Sequence, residues 1–494
     1  MSFMGKCKET FCLEEATIAL VHRAMKKGCL SCRRLVEMYL ERIEAYDQKD
    51  PALNSVIFVN PRALEIADEL DVRFKESGFK GPLHGIPVLL KDNIDTVDMP
   101  TTGGSLSLEG VVPRDDALIT TRVKKAGALI LAKVNLHEFA VWGETVSSIM
   151  GQTLNPYDLT RSSGGSNGGT GAGIAANFGM VGIGTDTINS IRSPSSACCL
   201  VGFRATLGLV SRDGIIPYSL TQDMAGPLAR TAEDAAKVLD VIAGYDPDDA
   251  ATAWAYGNIP ETYTQFLDID GLKGARIGVL RSFFGTGQEH REVNHAINQS
   301  IDIMAQRGAE VIELEEPIDA NKLVSEVSVH LYDLKRDLDI YLKDLDTRAS
   351  VNSLADVIDS GRYHPGIEEN IKHAATLSTD SVEYKDRFIK RAKLQQQVMK
   401  LMADNRLDVI VFPHQKILVV PVGASQVERN GVLGSVTGFP AFVVPGGFSQ
   451  PTDTAPIGLE MVGRPWSEPT LIRIVYAFEQ ATKFRRPPAS TPSF

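Results

Sequence analysis

Residues 161–194, RSSGGSNGGTGAGIAANFGMVGIGTDTINSIRSP, crowd glycines and hydroxyl side chains together more densely than the rest of the chain. Glycine lets backbone approach a ligand closely, and serine and threonine bring hydroxyls. The composition therefore suits a site that holds an oxyanion on backbone N–H groups and attacks with a hydroxyl. A flexible loop has the same composition. Within the stretch, GGSNG at 164–168 fits G-x-S-x-G around Ser166, the turn that presents a nucleophile between a strand and a helix. The preceding NPYDLTRSS does not read as a strand, which weighs against that elbow. Residues 171–176 fit a relaxed dinucleotide-binding fingerprint, again with no strand to enter it.

Longer segments carry a more specific pattern. In chain order they are SCRRLVEMYLERIEAYD, PLHGIPVLLKDNIDT, GALILAKVNLHEFA, the glycine-serine stretch, GFPAFVVPGGF and PIGLEMVGRPWSEPTL. Together they resemble the amidase signature family over nearly the whole chain. The resemblance implies hydrolysis of a small-molecule or peptide-like carboxamide to acid plus ammonia or amine through an acyl-serine intermediate, with no cofactor. It places the family's lysine on Lys91, its bridging serine, which follows a cis peptide bond, on Ser166, and its nucleophile on Ser190. Asp186 and Arg192 match supports of the nucleophile loop. Ala140, Thr187, Ile188 and Asn189 match positions that contact the substrate or its developing oxyanion. One departure stands out: the family commonly has two glycines where this chain has Ile188 and Asn189. Isoleucine adds bulk and tolerates positive φ poorly, so the pair either restricts the substrate or disturbs the oxyanion hole.

The chemistry sets a condition on the lysine. A serine–lysine mechanism needs a neutral amine, yet a lysine at its reference pKa is neutral in fewer than about one molecule in a thousand at pH 7. Burial must lower that pKa. Lys91 follows the apolar run 86–90 (IPVLL), which reads as a buried strand whose end opens toward a site. Two rival readings stay open. One is a Ser-His-Asp hydrolase using Ser166 and a downstream histidine such as His414. The other is a non-hydrolytic member of the same fold, an amidotransferase subunit or an inactive scaffold. His84 and His137 lie beside strand segments and read as packing residues, and nothing resembles a metal-ligand cluster.

These residues need a scaffold. Ser31 caps a helix in which Leu35, Val36, Tyr39, Leu40 and Ile43 recur at helical spacing, so residues 1–80 read as a helical segment packed on the core. From 81 to 494 short apolar runs alternate with helical stretches: 86–90, a crossover helix at 117–126, 128–132, 180–183, 276–280, a helix at 293–305, 310–314, 409–412 and 441–444. Residues 323–402 read as a mostly helical, charged insertion that covers one face. Alternation of this kind specifies an α/β fold, and the resemblance makes it a mixed central sheet covered by helices on both faces.

Composition agrees. The 494 residues are 43% hydrophobic and 23% charged, enough for a large core in an ordinary globular protein. A net charge of −11 argues against nucleic acid or an anionic membrane surface as partner and leaves a small-molecule amide, with a homodimer also compatible. Neither a secretory signal nor a membrane span is apparent, and six sparse cysteines are no disulfide framework; the cytoplasm fits best. The C-x-x-C at Cys29 and Cys32 lacks the context of a zinc or redox motif.

Overall fold

A computed structural model of the chain describes residues 11–494. Cys7 and the first lysines of the chain lie outside the described residues. Among those described, eleven strands form one sheet. In chain order the strands are β1 (Val56–Val59), β2 (Pro87–Lys91), β3 (Leu129–Val134), β4 (Val146–Ser147), β5 (Gly151–Gln152), β6 (Leu154–Asn155), β7 (Asp158–Ser162) and β8 (Val181–Asp186). They continue with β9 (Val201–Arg204), β10 (Met224–Ala229), β11 (Arg276–Leu280), β12 (Glu310–Leu314), β13 (Val409–Pro413), β14 (Ala441–Phe448) and β15 (Pro456–Val462).

The sheet order is β1-β3-β2-β8-β10-β9-β14-β15-β13-β11-β12, while β4 with β5 and β6 with β7 make two small ribbons. Strands β3, β2 and β8 run parallel, as do β13, β11 and β12, and the strands between them pair antiparallel. Every residue of β2, β3, β8, β10, β13, β14 and β15 is buried. Continuous burial along a strand requires cover on both faces, which is why these segments read as apolar runs and not as alternating ones. The mixed sheet with helices on its faces is the expected fold class.

The N-terminal segment is helical as expected, with one short strand added. Ser31 does cap the helix Cys32–Tyr46, accepting from Arg34 N–H at 3.0 Å, but the four-residue β1 follows and pairs antiparallel with β3 at the sheet edge. One expectation needs correction: a strand precedes Ser166. Strand β7, DLTRS, is mostly polar and half exposed, so it carries no apolar alternation to read. It is part of the small ribbon and not of the main sheet.

The helix Gly168–Ala175, GGTGAGIA, forms against its propensity, since four of its eight residues are glycine. Tertiary packing overrides this. The helix lies so close to the sheet that a Cβ on Gly169 would meet the Asn135 carbonyl oxygen at 2.3 Å. Residues 323–402 hold the helices His330–Asp344, Leu354–Ser360, Glu368–Thr376 and Val382–Asp404. The first three pack on Leu108, Phe139, Val141 and Tyr218. Cys32 is a free, buried thiol and Cys29 is disulfide-bonded, so the two do not act as a dithiol pair. No helix among the described residues is long and apolar enough to cross a membrane.

Candidate active site

Lys91 is the last residue of β2 and is fully buried. Its Nζ lies 2.7 Å from Ser166 Oγ and 2.8 Å from Thr185 Oγ1. Thr185 is near the end of β8, the parallel neighbour of β2, so the amine sits where the carboxyl ends of two parallel strands meet, a usual place for a site in such sheets. Burial pulls the Lys91 pKa down to about 7, against the pull of Asp223 and Asp186, which favour the charged form. At neutral pH a large share of the amine is therefore uncharged, as the chemistry demands.

Ser166 reaches Lys91 from the turn that opens the helix Gly168–Ala175. The Gly165–Ser166 peptide is cis. Thr145 braces the turn by donating its hydroxyl to the Gly164 carbonyl at 2.7 Å and accepting from Gly168 N–H at 2.9 Å. The His137 N–H donates to the Ser166 carbonyl at 2.9 Å. Gly165 is required by space: a Cβ there would lie 2.6 Å from the Gly143 carbonyl carbon. On the other side, the Gly165 N–H donates to Ser193 Oγ at 3.4 Å, which ties the Ser166 turn to the helix that begins just after Ser190.

Ser190 sits in the loop between β8 and the helix Arg192–Ala197. Asp186 organises that loop, accepting from Ile191 N–H at 3.0 Å and from Arg192 Nε and Nη2 at 3.1 and 3.0 Å. Arg204 Nη1 adds a bond at 3.0 Å. Burial alone would raise the Asp186 pKa, but Arg192 and Arg204 overrule it and hold the carboxylate at about 2. Arg192 also bonds Glu460.

Three carbonyls of the loop are engaged. That of Thr187 accepts from Gln222 Nε2 at 3.2 Å, and that of Asn189 from Ser193 N–H at 2.7 Å. Ile188 O accepts from Arg192 Nη2 at 2.5 Å and Ser435 Oγ at 2.6 Å. The N–H groups of Ile188, Asn189 and Ser190 donate to no acceptor among the described residues. Anchored carbonyls and open amides are the arrangement an oxyanion hole requires. Neither Ile188 nor Asn189 adopts positive φ, so the strain expected of isoleucine is absent. The left-handed residues are on the facing loop, Phe139 at φ 51° and Ala140 at φ 59°.

A cavity of about 300 Å³ opens onto this loop. Ala140, Thr187, Ile188, Asn189 and Ser190 line it, and Val141, Trp142, Tyr218, Val324 and Val432 give it an apolar character. The sequence-derived residues thus fall into three groups: Lys91 and Ser166 in direct contact, Asp186 and Arg192 beneath the Ser190 loop, and the remaining five around the cavity. A larger cavity of about 730 Å³, lined by Asp213, Asp249, Arg212 and other charged residues, contains none of them.

The elbow reading finds a strand and a helix in the right order, but Ser166 has an amine as its partner and not an imidazole. His414 is buried with Nδ1 2.7 Å from Glu460 Oε2, and no bond joins it to Ser166. His84 packs among Phe74 and Phe79. His137 serves the site through its backbone, while its ring, buried and held near pKa 3 by desolvation, accepts from Glu144 N–H. Sequence reasoning missed Thr185 and Asn93. Asn93 Nδ2 donates to Thr185 Oγ1 at 3.1 Å, fixing the hydroxyl that Lys91 leans on. Their nearest signal was adjacency to the motifs KDN and GTD. Among the described residues no cluster of His, Cys, Asp or Glu could hold a metal.

Known proteins share this framework. The peptide amidase of Stenotrophomonas maltophilia superposes with a TM-score of 0.88 at 37% identity, covering 97% of this chain and 99% of that one. A protein of Arabidopsis thaliana named a probable amidase is 36% identical over 503 residues, 98% of this chain and 93% of its own length. The A subunit of a glutamyl-tRNA(Gln) amidotransferase from Synechococcus is 34% identical, covering 97% of this chain and 94% of the relative. The profile of the family described as Amidase matches residues 34–472, and the chain belongs to the amidase signature family.

Proposed function

We propose that the chain hydrolyses the carboxamide bond of a small-molecule or peptide-like substrate, with Ser190 as nucleophile, Ser166 as proton relay and Lys91 as base. The observation that carries this reading is the contact of Lys91 Nζ with Ser166 Oγ at 2.7 Å in a fully buried setting that brings the amine to a pKa of about 7. Neutral Lys91 takes the Ser166 proton as Ser166 takes that of Ser190, and Ser190 Oγ attacks the amide carbon. The oxygen of the tetrahedral intermediate becomes negative beside the N–H groups of Ile188, Asn189 and Ser190. The proton then returns by the same route to the leaving nitrogen, and water releases the acid from acyl-Ser190.

The decisive experiment treats the purified chain with a fluorophosphonate and maps the adduct by mass spectrometry. Labelling at Ser190 that disappears in Ser190→Ala, together with amide turnover by the chain alone, is the expected result. Labelling at Ser166 with a histidine-dependent rate favours the elbow. A chain that turns over amide only beside another subunit fits the amidotransferase relatives instead.

A further inference from the structure

The walls of the cavity offer no unpaired cation, and what makes this so is a residue outside the motifs. Of the lining residues, Glu428 and Arg429 carry formal charges, and each is paired with a group behind the wall. Glu428 meets His290 Nε2 at 2.5 Å, and Arg429 Nη2 donates to Glu144 Oε1 at 2.7 Å. His330, also at the wall, is kept in its neutral form by burial, at a pKa of about 3. The same Glu144 oxygen accepts from Gln426 N–H at 2.8 Å. Trp142 Nε1 donates to Ser425 Oγ at 3.0 Å, and the Arg429 guanidinium lies 5.4 Å from the Trp142 ring centroid. One carboxylate thereby fastens segment 425–429 over the cavity as a roof.

Glu144 is also joined to the catalytic turn. Its N–H donates to His137 Nδ1 at 3.1 Å, and its neighbours Gly143 and Thr145 touch the backbone around Ser166. We infer that Glu144 is a positioning residue for specificity: by holding Arg429 in a closed pair within the 425–429 roof, it makes the cavity select against an anionic acyl group. An acyl carboxylate meets no unpaired cation among the described lining residues, and it meets the Glu428 carboxylate, whose partner His290 accepts at Nδ1 from Gly287 N–H and supplies a hydrogen bond without a counter-charge. Discrimination against an acyl carboxylate comes from leaving its charge desolvated and unmatched, the repulsive side of specificity. The inference rests on the proposal that acylation occurs at Ser190.

The test compares kcat/KM for three amides matched in length, whose acyl chains end in a methyl, a carboxylate or an ammonium group. Glu144→Gln keeps the shape and an acceptor for Gln426 but leaves the Arg429 charge uncompensated. It should raise the carboxylate-to-methyl ratio by roughly tenfold or more, within the range that single pocket contacts achieve. Arg429→Gln leaves the Glu144 charge open and should raise the ammonium-to-methyl ratio instead. A merely structural role lowers all three substrates together and leaves the ratios unchanged, and that result overturns the inference. If Glu144→Gln does not melt like the parent, the Arg429→Gln ratios decide. Fluorophosphonate labelling of the parent keeps the two claims apart: no label at Ser190 defeats the proposed function, whereas an intact label with unchanged ratios defeats only the role of Glu144.

Discussion

Two fully buried lysines stand side by side at the ends of parallel strands, and only one of them contacts a carboxylate. Lys91 ends β2 and Lys133 lies on β3, with Leu90 paired to Lys133 and Lys91 to Val134. Lys133 is matched by a carboxylate, Asp92 Oδ1 at 3.2 Å, and also donates to the Pro100 carbonyl at 3.0 Å and Thr101 Oγ1 at 2.8 Å. Asp92 in turn accepts from Thr102 N–H at 3.1 Å. Among the described residues Lys91 contacts two hydroxyls and no carboxylate. Burial penalises a charge in both places, but a contacting carboxylate offsets the penalty where it is present. A dry site becomes a reactive one when its amine is left without an anion.

The largest consequence is a separation of activity from stability. Lys91→Met should lower kcat by about 10³-fold or more, because in the proposed mechanism the lysine forms one proton-transfer unit with two serines. Lys133→Met should instead cost about 3–5 kcal/mol of stability, since it strands the buried Asp92 carboxylate. Any fold that survives should retain far more turnover than Lys91→Met. Denaturant melts and kcat on one amide for both variants check this. Equal activity losses in two stably folded variants would erase the distinction.

The pH dependence sharpens it. With Lys91 as base, kcat/KM should rise with pH through an apparent pKa near 7, where burial places the amine. The sign for stability follows from linkage. The folded pKa of Lys91 lies below the unfolded one, so the unfolded chain binds more protons between about pH 7 and pH 10.5, and this group's contribution to stability rises with pH across that window. The penalty of burying the amine is largest below pH 7. Lys91→Met should therefore melt higher than the parent at pH 6 and lose that advantage by about pH 10, whereas Lys133→Met should melt lower than the parent at neutral pH. Thermal melts at several pH values measure both signs.

Thr185→Val probes the hydroxyl that replaces a carboxylate beside Lys91. An acceptor for lysine N–H favours the ammonium, so its loss should move the pH limb of kcat/KM downward. The amine also loses an anchor, and kcat should fall by about tenfold, a loss of the size seen when a supporting hydrogen bond behind a functional group is removed. An unmoved limb would show that Thr185 holds geometry alone.

Much of this was legible in the chain, and the gaps have physical causes. PVLLK announces a buried strand ending at a lysine, and the motif holding Ser166 is tied to the one holding Ser190 through the Gly165 N–H and Ser193 Oγ. Strand β7 escaped because DLTRS pairs only within a half-exposed ribbon, and β1 because four residues among helices give too short a period to read. The partners that decide reactivity were the least accessible. Nothing in the residue types of Lys91 and Lys133 tells that one meets Thr185 and the other Asp92, because those contacts exist only after the strands are in register. The clamp of the Ser190 loop likewise draws on Gln222 and Ser435, far along the chain.

The smallest expected effect on kcat concerns Ile188, where sequence left open whether a bulky residue disables the oxyanion hole or narrows the substrate range. The loop geometry favours narrowing. Ile188 has no positive φ to resist, its carbonyl is anchored by Arg192 and Ser435, and its N–H is left for the oxyanion. Its side chain lines the cavity and packs against the cluster containing Val432 and Val436. Replacing it with glycine removes bulk from the cavity wall without freeing a backbone donor that was blocked. Ile188→Gly should thus leave kcat for the best substrate within about threefold while raising kcat/KM for bulkier acyl groups by about 10-fold, the scale of one or two methylene contacts in a pocket. A disabled hole behaves differently, because restoring a donor lowers the barrier for every substrate alike. A uniform kcat gain of about 10²-fold across small and large amides, the magnitude tied to one oxyanion donor, would overturn this reading. Glycine also adds backbone freedom to the loop, so a modest uniform loss of kcat alongside the broadened range is compatible with narrowing and a uniform gain is not.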